Sequence, residues 1–137
     1  MNLAFASGFL VPQSILGVDY FRGLPAHFPN ALFPTTAIDA HVRDRAKTLA
    51  TEINRRFPDG EIHIIAHSMG GLDSRYLLSK NLLGLAGRVK SLSTISTPHW
   101  GSPVADLVLD LVPGVDSTLV RRALNQFPAV QSGAPMI

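Results

Sequence analysis

Glu61-Ile62-His63-Ile64-Ile65-Ala66 is a near-continuous β-branched and apolar run, and only His67-Ser68-Met69 separates it from Gly70-Gly71. Helical spacing starts at once in Leu72-Asp73-Ser74-Arg75-Tyr76-Leu77-Leu78. A run of this kind is typical of a parallel strand covered on both faces. A strand that turns into a helix within a few residues constrains the fold strongly, because the two backbones must then lie close together. Such a unit belongs in a strand–helix alternation, which calls for a parallel sheet with right-handed crossovers.

The rest of the chain supplies that alternation. Leu3-Ala4-Phe5-Ala6 reads as a short buried strand closed by Ser7-Gly8. Residues 8–30 hold several Gly and Pro breaks and read as a long loop with one turn of helix. Ala31-Leu32-Phe33, before Pro34, reads as a second and very short strand. Val42, Ala46, Leu49, Ala50, Ile53 and Phe57 recur at three- and four-residue steps, with Arg43, Lys47, Glu52 and Arg56 mostly between them. This predicts an amphipathic helix from Asp39 to Phe57, ended by Pro58-Asp59-Gly60. Val89 to Ile95 is a further strand, stopped by Thr97-Pro98, and 103–112 and 117–127 read as two apolar-faced helices. The expected class is α/β, with a mostly parallel sheet of about four or five strands and helices on both faces.

Size and composition narrow the functional classes. The 137 residues fit one domain, taken here as 1–137, on the usual scale of roughly 100–200 residues per domain. Hydrophobic residues make up 46% and charged residues 16%, a balance that excludes a disordered chain. Twelve Lys and Arg against ten acids are scattered rather than clustered, so nucleic-acid binding has little support. The absence of cysteine excludes a disulfide scaffold and thiol chemistry. Gly8, Pro12, Gly17 and Pro25 interrupt the N-terminal apolar stretch, and no apolar run approaches the ~18 residues of a membrane span. The start, Met1-Asn2-Leu3-Ala4-Phe5, lacks the basic region that opens a secretory leader, and localisation stays open.

Chemistry concentrates at Ala66-His67-Ser68-Met69-Gly70. A serine flanked two positions away by small residues, between a strand and a helix, has the spacing that the hydrolase nucleophile turn requires. Ala66 and Gly70 must be minimal if the two backbones are to meet. Ser68 Oγ would then stand above the sheet edge at a helix N-terminus. The Met69 amide and the helix dipole could there stabilise a developing oxyanion. An ordinary βα loop or a phosphate-binding turn is the competing reading. It is weakened because neither a Gly-x-Gly-x-x-Gly pattern nor a phosphate-loop lysine is present.

Four blocks also carry a resemblance: Ser7-Gly8-Phe9-Leu10, Gly17-Val18-Asp19-Tyr20-Phe21-Arg22-Gly23, Ala66-His67-Ser68-Met69-Gly70-Gly71 and Thr97-Pro98-His99-Trp100-Gly101-Ser102. In this order they resemble the bacterial triacylglycerol lipases, α/β-hydrolases related to the family I true lipases. The likeness runs from about Leu3 to about Leu111 and implies a truncated α/β-hydrolase acting on acylglycerols or other acyl esters. It also implies that the Phe9 backbone N–H is the second oxyanion donor, and no metal or organic cofactor is implied. Two departures stand out. Ser7-Gly8 occupies the place of the family's His-Gly, and Ala66 that of the first glycine of the turn.

Serine needs a base in hydrogen-bond reach and an acid to orient that base. The resemblance implies that both lie on later strands. With four recognisable strands before Ile137, the chain is expected to be either a fragment or a miniature hydrolase that recruits its base from elsewhere. Among the five histidines, His67 reads as structural, His63 as a satisfied strand residue, His41 as solvated, and His27 has no motif around it. His99 follows a strand expected to neighbour that of Ser68, at the carboxyl edge where parallel α/β sites assemble. It is the candidate substitute base, with Asp106 as its orienting acid, although a loop-bracing histidine and a solvated helix aspartate explain them better. Asp19 and Asp73 are rival acids that suit structural hydrogen bonds better, and Arg75 suits a salt bridge. Asp106, Asp110 and Asp116 lack the spacing of a calcium loop.

Val104, Leu107, Val108 and Leu111 form a stripe that suits core packing or, with the rest of 103–127, a lid-like wall over the site. The leading reading is thus a serine ester hydrolase for a small-molecule or lipid ester. The alternatives are a non-catalytic remnant that binds a lipid or a partner, and a half-domain active only with another chain. The strand Val89–Ile95, with one charge, gives thin protection against edge pairing, so a homodimer is expected.

Overall fold

The computed structural model describes residues 1–8, 21–36 and 40–101. The chain divides into two units, Met1–His99 and Trp100–Ile137, and the account below concerns the first. The expected helices within 103–127 lie outside the described residues, as do Phe9, Asp19 and Asp106.

Three parallel strands, β1 (Asn2–Ala6), β2 (Ile62–His67) and β3 (Val89–Ile95), form a sheet in the order β1-β2-β3. Residue pairing runs in step from Asn2↔Ile62 to Ala6↔Ala66 and from His63↔Ser91 to His67↔Ile95, with one irregularity at Ile62/His63. Leu32 adds an isolated parallel bridge to Ala4, closed by Phe5 N–H to Leu32 O at 2.8 Å and Leu32 N–H to Leu3 O at 2.8 Å. The short strand expected at Ala31–Phe33 is therefore reduced to one bridged residue, while the single helical turn expected in the preceding loop is α1 (Leu24–His27).

Two longer helices flank the strands. Helix α2 (Val42–Arg56) buries Ala46, Leu49, Ala50 and Ile53, the stripe that its spacing predicts. His41 is its N-cap and contributes no side-chain bond, so the helix starts later than the Asp39 expected from spacing. Asp44 in the first turn and Arg55 and Arg56 in the last complement the helix dipole. Helix α3 (Met69–Ser79) begins on the residue after Ser68, three positions earlier than its apolar spacing suggests. A kinked 3-10 segment, Leu82–Gly87, then leads into β3 and buries Leu85.

The core lies on one face of the sheet. Ala4 and Ala6 of β1 and Ile62, Ile64 and Ala66 of β2 are buried together with the α2 stripe, Leu77 of α3 and Leu85. Alternation puts Leu3, Phe5, His63, Ile65 and His67 on the other face. Phe5 packs there against Phe33, stacked at 4.9 Å, and against Phe21 and Phe28 at 5.5 and 5.7 Å. His63, Ile65 and His67 on this face are half-buried, whereas Ile62, Ile64 and Ala66 on the core face are buried. Among the described residues β3 is an edge strand, and Ile95 at its end is 54% exposed.

Candidate active site

Successive parallel strands end on the same side of the sheet, so Ser7-Gly8 after β1, Ser68 after β2 and Ser96-Thr97 after β3 share the carboxyl edge. Ser68 sits in the turn from β2 into α3 with φ 52° and ψ −129°. A non-glycine residue at positive φ carries a cost of roughly 1–3 kcal/mol and persists only where its surroundings hold it. Here Ser68 N–H donates to Ile95 O at 2.9 Å, and Ser68 O accepts from Gly71 N–H at 3.1 Å. The turn is thus tied to the end of β3 on one side and to the first turn of α3 on the other.

Space around the hydroxyl is set by glycines. A Cβ placed on Gly8 would fall 2.5 Å from Ser68 Cβ, 2.8 Å from its Oγ and 3.0 Å from Met69 N. Gly8 therefore brings bare backbone against the hydroxyl and the first amide of α3. A Cβ on Gly70 would collide with the Ala6 carbonyl and reach within 2.7 Å of Ser7 O. The small residue expected at this position is thus required by close approach to the end of β1. A Cβ on Gly71 would meet the Thr97 side chain. Three strand ends and one helix start are packed here with no room for a methyl group.

A buried ion pair lies behind this edge. Arg45 Nε of α2 donates to Asp73 Oδ2 of α3 at 2.9 Å, with both side chains 1% exposed. A second arm of the same guanidinium, Nη2, donates to Ser7 O at 3.1 Å. Burial pushes the Asp73 carboxyl up to about 6, and the charge and hydrogen bond of Arg45 pull in the opposite direction. Asp73 Oδ1 and Thr97 Oγ1 are buried without a hydrogen-bond partner among the described residues. Asp73 thus makes the structural bond expected of it.

The histidines fall apart in space. His99 accepts at Nδ1 from Arg75 Nη1 at 3.0 Å, and its Nε2 lies 3.1 Å from Thr94 Oγ1. A guanidinium can only donate, which places the ring proton on Nε2 and makes Thr94 the acceptor. Both nitrogens are thus occupied, and neither is free to take a proton from Ser68 in this arrangement. Arg75, expected in a salt bridge, instead donates to this ring. His63 Nδ1 is bonded to Ser91 Oγ at 2.8 Å on the face of the sheet opposite the core, His41 is exposed, and burial lowers the pKa of His67. Among the described residues no cluster of His, Asp and Glu could hold a metal ion, and no helix is long and apolar enough to cross a membrane.

Arg45 is the residue near the site that sequence reasoning missed. It stands three residues after Val42 and four before Leu49, along the apolar stripe of α2, and a cation in that position calls for a buried partner.

Comparison with known proteins agrees with this architecture. Residues 24–132 match the family model described as alpha/beta hydrolase fold, and the chain belongs to that family. It is similar to Triacylglycerol lipase 2 of Saccharomyces cerevisiae, with 39% identity over 88 residues, covering 64% of this chain and 26% of the yeast protein. It is also similar to the triacylglycerol lipases of Pseudarthrobacter phenanthrenivorans and Burkholderia plantarii. Each is 36% identical over 78 residues, covering 54% of this chain and 23% and 21% of those proteins. The chain spans about a quarter of the length of these curated relatives.

Proposed function

We propose that this chain carries the nucleophile of a serine ester hydrolase acting on acylglycerols or other acyl esters. One observation supports the reading above the others. Ser68 is held at positive φ, where β2 meets α3, with the glycine backbone of residue 8 packed against its hydroxyl. A scaffold has no evident use for that strain, whereas a half-buried serine at a helix N-terminus suits attack on a carbonyl.

In this mechanism Ser68 Oγ gives its proton to a base and bonds to the ester carbonyl carbon. The carbonyl oxygen takes the negative charge. As the carbonyl re-forms, the C–O bond to the alcohol breaks and the alcohol leaves with the proton. Water then cleaves the acyl-enzyme by the same steps. Met69 N–H opens α3 and has no acceptor four residues back within the helix, so it is available to the oxyanion, with the helix dipole adding to it. The Phe9 N–H is the second donor in this reading.

His99 serves as the base, with Asp106 behind it, only if its Nδ1 gives up Arg75. The clamp on that ring favours the bracing role, and with it a base drawn from outside the described residues. Fluorophosphonate labelling and p-nitrophenyl ester turnover test the proposal on wild type, Ser68→Ala and His99→Ala. Labelling of wild type and none of Ser68→Ala is the expected result. An unlabelled wild type points to the non-catalytic alternative, and retained turnover in His99→Ala removes that histidine as base.

A further inference from the structure

We propose that Arg45 and Asp73 are a positioning pair for the oxyanion site, holding the Ser7–Gly8 peptide at a fixed orientation against Ser68; this rests on the reading of Ser68 as nucleophile. The pair does more than join two helices. Arg45 reaches Asp73 with Nε and the carbonyl of Ser7 with Nη2, so one rigid guanidinium links α2, α3 and the end of β1. The Ser7 carbonyl is also seated against Gly70, the second residue of α3. Fixing that carbonyl fixes the peptide plane that leads into Gly8, whose Cα faces Ser68 Cβ and Oγ and the Met69 nitrogen.

The geometry also accounts for an unfavourable choice of residues. A buried ion pair is weak evidence for stability, because well-packed apolar residues in its place are often neutral or better. Asp73 keeps one oxygen unpartnered among the described residues. An apolar pair could join α2 to α3, but it could not hold a backbone carbonyl. Lysine could pair with Asp73, but a single ammonium lacks the fork that serves two acceptors in different directions.

Three variants of the full chain separate positioning from structure: Arg45→Lys, Asp73→Asn and the apolar double variant Arg45→Met/Asp73→Leu. Each is measured for melting temperature, for kcat and KM on a p-nitrophenyl ester, and for the rate of fluorophosphonate labelling. The expected result for Arg45→Lys and the double variant is a fall of about ten- to a hundredfold in kcat and labelling rate, with KM within about twofold. The double variant melts close to wild type, since no charge is left unpaired. Wild-type kcat and labelling rate in the folded double variant would reduce the pair to a helix clasp and overturn the proposal. An unlabelled wild type would instead overturn the nucleophile reading, and the positioning role with it. Should the double variant fail to fold, Arg45→Lys decides: full kcat there overturns the proposal, and lost kcat at unchanged KM supports it.

Discussion

The helix-covered face of the sheet and its carboxyl edge, only a few ångströms apart along β2, are built on opposite rules. On the face, Ile62, Ile64 and Ala66 meet Leu49, Ala50, Ile53 and Leu77 through many weak contacts. Cores of this kind tolerate volume-conserving exchange among apolar residues. At the edge, Gly8, Gly70 and Gly71 meet Ser68, the end of β1 and Thr97 through a few contacts that leave no room for a methyl group. The face supplies the stability, and the edge spends part of it on a serine at positive φ and a buried ion pair. The proposed chemistry is concentrated where the packing is least forgiving.

Substitutions can break this contrast, and the largest expected effect is on chemistry. Ser68→Ala should abolish fluorophosphonate labelling and ester turnover while far-UV circular dichroism stays native, because the methyl side chain fits wherever Ser68 Cβ fits. Residual labelling at another residue would move the nucleophile elsewhere. Next in size is Ile53→Ala on the core face, expected to cost about 2–5 kcal/mol in urea unfolding. Its folded fraction should turn over ester normally, since Ile53 lies on α2 and is part of the general core. Gly8→Ala should cost less, about 1–3 kcal/mol, because its backbone needs no glycine conformation and only the new methyl is crowded against Ser68. That variant should nevertheless lose most of its kcat, and a Gly8→Ala enzyme with wild-type kcat would refute the close packing around the hydroxyl.

Protonation sharpens the same comparison. Burial raises Asp73 from 3.8 to about 6, so between those values the folded chain binds more protons than the unfolded one. Its contribution to stability is therefore greatest at the acid end and declines as pH rises from about 4 to about 6, by on the order of 2–3 kcal/mol. His67 runs the other way. Its lowered pKa means that stability present above 6.5 is lost as pH falls through its folded value. Melting curves of wild type and Asp73→Asn across this range isolate the aspartate. Wild type should lose ground to the variant as pH rises from 4 to 6, and the opposite trend would mean that Arg45 outweighs burial. The smallest effect expected is a gain. Ser68→Gly relieves the positive φ and should stabilise the inactive chain by about 1 kcal/mol in thermal unfolding.

Much of this was legible in the sequence where one local cause dominates. The β-branched run at Ile62–Ile65 marks a strand, Val89–Ile95 stopped by Thr97-Pro98 marks another, and the α2 stripe marks its own buried face. Ser68 stood out because a strand–turn–helix with small neighbours has a recognisable spacing. Relations across the sheet were not legible. Arg75 and His99 are 24 positions apart, and Arg45 and Asp73 are 28 apart, so no periodicity connects them. Arg45 went unread because charged residues are expected between apolar positions, and its exception depends on a partner in another helix.

The parallel pairing of Asn2 with Ile62 also has a consequence during synthesis. At about 5–20 residues per second, β1 leaves the ribosome several seconds before the strand that it will pair with exists. An apolar strand left waiting with both edges open invites wrong pairing. Leu32 and the phenylalanines at 21, 28 and 33 emerge well before Ile62, and they bridge one edge of β1 and cover one of its faces. The segment that looks like a loop in the finished molecule is thus placed to act as a temporary sleeve for the nascent strand.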